Sequence, residues 1–356
     1  MKRTRRAAWL LAALLPLPAA AQEPQYFEEP PWKPKLSLRW DFLGRYDRID
    51  HWRYYEPIDR GRFELRPEVD FDPLPNLRIG VRGIFDYGTD EYSDPEYDNY
   101  ESRGAAFDRY YVLWRPGAFN VLGGKFGMPL VATQMLWDRD IQTLGGAVSW
   151  TSQGGAWTLA GAGFYGPQRG GDESLIWAGQ VIWNAGDAHR FAVQAAAAFW
   201  SFDLRNMPAV YIRENTSRLV DGRLEYASDF QIANLLLRLY FPLGRLPVMV
   251  SLDGADNVDA TSGRNLAFEG VVAVGSVGMP WDWRASFSYQ YIQRNAVVGA
   301  YNSDDWWWHS WYEGYRLAAS LTFLPDVYVQ GAVVIQRRLD QNSWLNRYLV
   351  DLVKMF

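Results

Sequence analysis

Charged and apolar residues alternate along one short segment of the chain, and this spacing can build a charged surface. From Gly61 to Phe71, every second residue is ionisable and the residues between them are apolar. Alternate side chains of a β-strand point to opposite faces, so this segment predicts a strand with one charged face and one apolar face. If the charged face borders water, interleaved arginine and carboxylate can select solutes by charge. Alternatively, the same side chains form cross-strand ion pairs that hydrate the surface.

The same alternation places further charged residues on the charged face of neighbouring segments. We predict a pore lining formed by Arg39, Asp41, Arg45, Arg62, Glu64, Arg66, Glu68, Asp70, Arg78 and Arg82. Arginine outnumbers acid by six to four in this set. That excess favours a slight preference for anions, but the sequence leaves the preference between anions and cations open.

Side chains suited to catalysis are sparse. The chain has three histidines, His51, His189 and His309, and no cysteine. None of the histidines belongs to a nucleophile or metal-binding motif, and the absence of cysteine excludes disulfides and thiolate–metal sites. We therefore predict no catalytic residue, no metal site and no cofactor. The net charge of −5 argues against non-specific nucleic-acid binding, which needs a basic surface.

The charged residues must be positioned by β-strands, because the period-two pattern recurs along the chain. Each segment with this pattern is as long as a tilted membrane strand. Seven short turns alternate with eight longer polar connections. We expect the turns at 72–76, 116–118, 152–155, 184–187, 242–247, 276–280 and 324–326, and the longer connections at 49–60, 88–103, 129–144, 166–174, 204–227, 254–264, 294–313 and 338–343. This order predicts an all-β, membrane-spanning, antiparallel up-and-down β-barrel of about 16 strands over residues 35–356.

The chain ends and the aromatic content agree with an exported barrel. Residues 1–21 have the basic start, apolar run and small residues of a signal peptide, and residues 22–34 are rich in proline, as expected of a flexible periplasmic segment. The terminal Phe356 alternates with apolar residues, which is typical of an outer-membrane assembly signal. Aromatic residues make up 16% of the chain, and a barrel uses them as girdles at both lipid–water boundaries.

The segment Phe119–Asp140 combines a Gly-Gly-Lys strand end with a proline-containing loop and the turn Trp137, Asp138, Arg139 and Asp140. In this register we expect Lys125 to point into the lumen. The segment resembles a family of porins of the proteobacterial outer membrane and, more distantly, the phosphate-selective and alginate-export porins. The resemblance implies that residues 129–144 fold into the barrel, with the four turn residues as constriction-loop candidates. The alternative is an ordinary extracellular loop.

These observations predict a passive diffusion channel, a porin of the bacterial outer membrane without enzymatic activity. Its expected partners are outer-membrane lipid and small polar solutes or ions, and nucleic acid is not among them. A homotrimer is compatible with the strand number, although no feature of the sequence specifies one. The alternative function is a non-enzymatic barrel for polysaccharide export or for docking a partner.

Two further loops carry unusual compositions. Six carboxylates lie between Thr89 and Ser102, and we favour a solvated acidic loop over a calcium site there, because the spacing matches no EF-hand. Four tryptophans lie between Asp304 and Tyr312. We expect them to join the aromatic girdle, with stacking on a solute as the alternative.

Overall fold

A computed structural model of the chain describes residues 32–50, 57–89, 104–165, 174–187, 190–204, 212–261 and 263–354. The predicted signal peptide, most of the segment 22–34, most of the acidic loop, His51, His189 and Phe356 lie outside these ranges. Among the described residues, no helix is long and apolar enough to cross a bilayer.

Sixteen antiparallel strands form one closed barrel, which confirms the predicted fold class and strand number. The first nine are β1 (Lys35–Asp50), β2 (Ile58–Leu74), β3 (Leu77–Gly88), β4 (Gly104–Trp114), β5 (Phe119–Gly127), β6 (Gln142–Thr151), β7 (Trp157–Tyr165), β8 (Leu175–Asp187) and β9 (Phe191–Asp203). The other seven are β12 (Phe230–Leu243), β13 (Leu246–Asn257), β14 (Leu266–Gly275), β15 (Trp283–Ile292), β16 (Tyr312–Leu324), β17 (Val327–Arg338) and β18 (Leu345–Lys354).

Several predicted connections differ from the structure in their bounds, and two of them differ in kind. The turn expected at 184–187 is displaced, because β8 continues through Asp187. The connection between β9 and β12 contains a hairpin of β10 (Ser217–Val220) and β11 (Arg223–Tyr226). Asp221 and Gly222 form its two-residue turn with positive φ angles of 48° and 79°, the conformation that favours Asp-Gly in tight hairpins.

The barrel closes where its first and last strands meet. Strand β1 pairs with β18 from Phe42 opposite Lys354 to Asp50 opposite Asn346. Closure gives every strand two neighbours, so no unpaired sheet edge has to face lipid. Lys354, which departs from the apolar pattern of its strand, lies 3.7 Å from the ring centroid of Trp40 in a cation–π contact.

The outer surface of the barrel carries apolar side chains at alternate positions, and its aromatic residues gather near the strand ends. Those beside the short turns are Trp114, Phe119, Trp157, Trp183, Phe191, Trp283 and Phe323. Those beside the longer connections are Tyr46, Tyr87, Phe107, Tyr165, Trp177 and Phe268. The two groups correspond to the two lipid–water boundaries of a membrane barrel.

The inner side of the barrel has two regions of opposite character. The inner faces of β1–β4 carry charged side chains in ion pairs. The inner faces of β7–β9 and β12 carry small and apolar residues that belong to a buried cluster, including Ala162, Ala178, Trp200 and Ile232. Two of the long connections, 128–141 and 293–311, supply most of the remaining residues of this cluster.

A close approach between β6 and β7 makes one glycine sensitive to substitution. A Cβ atom on Gly145 would overlap the carbonyl oxygen of Gly163 and lie 2.7 Å from the Cα of Phe164. We expect Gly145→Ala to destabilise the barrel by about 1–3 kcal/mol, as overpacking does. The midpoint of denaturant unfolding in detergent measures this effect. Gly123→Ala is the matched control, because a Cβ there meets nothing within 4 Å; equal losses in both variants would contradict the packing described.

Candidate functional site

The ten predicted pore-lining residues of β1–β3 lie on the inner face of the barrel. We call the inner face of strands β1–β4 the charged wall. The register places Arg39 opposite Glu68 and Asp41 opposite Arg66. Apolar residues at the intervening positions, such as Leu38 and Phe63, are exposed on the outer surface.

The acidic side chains of the charged wall are bound by arginines. Salt bridges join Arg39 to Glu68 and Asp70, Arg45 to Asp351, Arg62 and Arg66 to Glu64, Arg78 to Asp72, and Arg82 to Asp108. The Arg45 pair has a distance of 2.8 Å between Nε and Asp351 Oδ1, and the Arg78 pair has 2.7 Å between Nε and Asp72 Oδ1. The wall is therefore a lattice of ion pairs whose outer atoms border the lumen.

Several members of this lattice are absent from the sequence-based prediction. Asp72 and Asp351 continue the alternation of their strands, so parity alone could have identified them. Asp108 could not have been found in this way. A bulge between Arg82 and Gly83 shifts the pairing with β4, so that Asp108 and its neighbour Arg109 both contact inner-face partners.

Lys125, which we expect to point into the lumen, is buried at a register position that pairs with outward-facing residues. It pairs with Tyr110 on one neighbouring strand and with Leu144 on the other, and Tyr110 is exposed on the outer surface. Residues directly opposite each other in an antiparallel pair share a face. The register therefore argues against a luminal Lys125, although its side chain is buried. The preceding Gly124 has a φ of 116°, a local distortion that sequence alternation does not reveal.

The connection between β5 and β6, residues 128–141, folds into the barrel and contacts its far wall. Thr133 donates a hydrogen bond through Oγ1 to Asp253 on β13. The amide of Met135 donates to Glu269 Oε2 on β14 at 3.3 Å. Further bonds join Val131 to Gln180 and Ala132 to Arg238. This connection therefore spans the interior from the charged wall to the opposite strands.

The connection between β15 and β16, residues 293–311, also folds inward. This placement contradicts the expectation that its tryptophans join the membrane-boundary girdle. Trp306 is buried inside the barrel, and Asp305 forms salt bridges of 2.9 Å with Arg45 and 3.5 Å with Arg316. The physical reason is that the aspartates beside the tryptophans find arginine partners only on the inner face.

The two inward connections bind each other through an aromatic stack and backbone hydrogen bonds. The rings of Trp137 and Tyr301 stack with centroids 5.0 Å apart and an interplanar angle of 17°. The amide of Asp138 donates to the carbonyl of Tyr301 at 2.6 Å, and Asp138 Oδ2 accepts from the amide of Asp304 at 3.1 Å. Trp137 and Asp138 thus hold the two connections together.

The other two turn residues face the charged wall. Asp140 Oδ1 accepts a hydrogen bond of 3.2 Å from Arg66. Burial disfavours the charged carboxylate, but the guanidinium groups of Arg66 and Arg139 outweigh burial and hold the pKa of Asp140 well below its usual range. Because this pKa is lowered, the ion pair persists through mild acid and is lost only as the pH falls through the lowered pKa. Arg139 alone is exposed among residues 128–141.

A cavity of about 490 Å³ separates the inward connection 128–141 from the wall of the barrel. Arg109 and Tyr111 of β4 border one side, and Trp137 and Arg139 of the connection border the other. Apolar side chains fill the opposite half of the interior. The cavity has a mainly apolar lining, and it also presents the guanidinium groups of Arg109 and Arg139, which can hydrogen-bond to small hydrated solutes.

His309 lies in the inward connection 293–311 and contacts Asn302 and Glu214. Its Nδ1 lies 2.7 Å from Asn302 Oδ1, and its amide donates to Glu214 Oε2 at 2.9 Å. In the described part of the chain, no group of three or more histidine, aspartate or glutamate side chains is arranged to hold a metal ion.

Comparisons with known proteins relate the chain to porins through its fold. No family model and no curated protein sequence matches it. Among solved structures, OprB of Pseudomonas putida is similar with a TM-score of 0.61 at 10% identity, covering 89% of this chain and 93% of that one. OmpF of Salmonella typhi has a TM-score of 0.54 at 11% identity, covering 90% and 97%. A BenF-like porin of Pseudomonas fluorescens has a TM-score of 0.51 at 10% identity, covering 89% and 97%.

At these identities the similarity shows a shared fold. Together with the apolar outer belt, it shows that the chain is a membrane β-barrel with the fold of bacterial outer-membrane porins. The more specific resemblance to one porin family rests on the sequence motif alone.

Removing the aromatic stack tests whether the connection 128–141 restricts the lumen. We expect Trp137→Ala to weaken the packing of this connection by about 3–5 kcal/mol, the usual cost of truncating a buried tryptophan. Strand pairing does not depend on the stack, so the barrel remains folded while its single-channel conductance rises. The control is Trp157→Ala, because Trp157 lies on the outer surface. Unchanged conductance in the folded Trp137→Ala barrel would show that this connection does not limit flow.

Proposed function

We propose that this chain is an outer-membrane porin that lets small hydrophilic solutes diffuse passively along the charged wall. The observation that supports it most directly is the cavity between that wall and the inward connection, which is bordered by Arg109 and Arg139. A cavity that presents guanidinium groups beside a charged wall suits hydrated solutes, because charged side chains can replace part of the hydration shell of a solute.

The size of the solute follows from the two inward connections. Residues 128–141 and 293–311 cross the interior from the charged wall, and their apolar side chains join a buried cluster with the opposite strands. The space left beside the wall favours small molecules over a polymer. This arrangement supports diffusion over the alternative of polysaccharide export.

Other parts of the proposal rest on the sequence. Residues 1–21 would be removed as a signal peptide, and residues 22–34 would precede the barrel in the periplasm. The motif Phe119–Asp140 supports membership of the proteobacterial porin family that it resembles. The proposal also includes Trp137, Asp138, Arg139 and Asp140 as the residues of a constriction, and it leaves the formation of a homotrimer to measurement.

Electrical recording from the purified barrel tests the proposed function. Refolded protein added to a planar lipid bilayer should produce discrete, lasting current steps. Protein unfolded by heat before addition should produce none and serves as the control. A correctly folded barrel without current steps would contradict the channel and favour the docking of a partner.

Swelling of liposomes that contain the barrel tests the solute size. We expect monosaccharides to enter rapidly and longer oligosaccharides to be excluded, because the passage is narrowed by two inward connections. Protein-free liposomes provide the background rate. Equal entry of short and long sugars would show that the inward connections leave a wide pore.

A further inference from the structure

We infer that the passage prefers small anions, and that Arg139 and Arg284 are the residues that select them. The inference rests on the proposed channel function and deepens it by naming the class of solute. Its basis is the unequal exposure of positive and negative side chains within the lumen.

In most ion pairs of the charged wall, the arginine side chain is more exposed to water than its carboxylate partner. The exposed fractions are 39% and 2% for Arg39 and Asp70, and 26% and 5% for Arg109 and Glu68. The carboxylates thus lie against the strands, with guanidinium groups between them and the lumen. A passing ion meets positive charge first, although the pairs are neutral in sum.

Asp41 reverses this order, because it is 22% exposed whereas its partner Arg82 is 3% exposed. It does not create a negative surface, however. Arg66, Arg82 and Arg109 all act on it electrostatically, and Glu64 is the acid that acts with it. Asp41 therefore lies among positive charges, and Asp108, the other acid that is more exposed than Arg82, is 7% exposed.

Arg139 projects from the inward connection towards the same passage. Its nearest acids are Asp140 and Asp305, and both are already engaged. Asp140 is bound by Arg66 at 3.2 Å, and Asp305 by Arg45 at 2.9 Å. Within the described ranges, the Arg139 side chain forms no salt bridge or hydrogen bond, so its five donors remain available to a solute.

Arg284 supplies a second positive charge from the wall of the barrel. It lies on the inner face of β15, opposite Ser320, and interacts electrostatically with Arg139, Arg316 and Tyr328. Like Arg139, it forms no salt bridge to any residue that the structure describes. Two arginines that interact electrostatically with each other create an attractive position for an anion near both side chains.

The remaining inner-face acids of this region do not offset these charges. Asp253 and Glu269 are buried, and they accept hydrogen bonds from Thr133 and from the amide of Met135. Both carboxyl groups therefore face the inward connection and not the passage.

The chemistry of guanidinium groups narrows the class of anion. Their planar donors match the two oxygens of a carboxylate or phosphate, and arginine stays charged at every physiological pH. The expected solutes are thus small oxyanions, with chloride as the simplest test ion.

Reversal potentials measured in planar bilayers test this preference, first under a gradient of potassium chloride and then under a gradient of potassium phosphate. We expect the wild-type channel to pass anions over potassium. Arg139→Gln and Arg284→Gln should each lower the anion-to-cation permeability ratio about threefold, the effect of one unit charge several ångströms from a hydrated ion. Arg139→Lys should retain the preference, because it keeps the charge.

Arg48→Gln is the matched control, since Arg48 is exposed near the barrel rim and pairs with Asp50; it should leave the ratio unchanged. Open channels that pass potassium as readily as anions would overturn the inference and leave the porin function standing. A folded barrel without current would overturn both. If Arg139→Gln fails to fold, Arg284→Gln and Arg139→Lys still decide the result.

Discussion

Lipid offers no hydrogen-bonding partner to a backbone amide or carbonyl, and the rest of this structure depends on meeting that constraint. The chain meets it by pairing β1 with β18 after each strand has paired with its neighbour. A closed sheet has one face in lipid and one face around a lumen. The two-residue alternation of each strand therefore determines which side chains face lipid and which face the lumen. Apolar residues such as Leu38 face outward, and ionisable residues such as Glu64 have to be accommodated inside.

Inside the barrel, the charged residues organise the loops. The carboxylates of the charged wall are removed from bulk water, and the arginines of β1–β3 compensate their charge. The same arginines reach the inward connections, where Arg66 binds Asp140 and Arg45 binds Asp305. Apolar packing around Trp137 and Tyr301 completes the attachment. The same two inward connections therefore contact both the charged side and the apolar side of the lumen.

The period-two pattern was sufficient to predict the strand number, the barrel and the parity of the charged wall, because each depends on residues adjacent in sequence. It failed where a backbone irregularity changes parity, as at Asp108 beside a bulge. It also failed for the tryptophans near Asp305, whose position depends on arginines far away in the chain. Partners distant in sequence leave no local periodic signal.

The ion pairs across the β1–β18 junction have a consequence for biogenesis. Arg45 binds Asp351 at 2.8 Å, and Arg347 binds Asp47 at 2.6 Å, so each pair joins residues some 300 positions apart. Arg347 also donates a hydrogen bond to the carbonyl of Asp304 in the inward connection. These contacts can form only when β1 and β18 have met. The attachment of the connection 293–311 at this junction is therefore coupled to closure of the barrel, whichever end of the chain enters the membrane first.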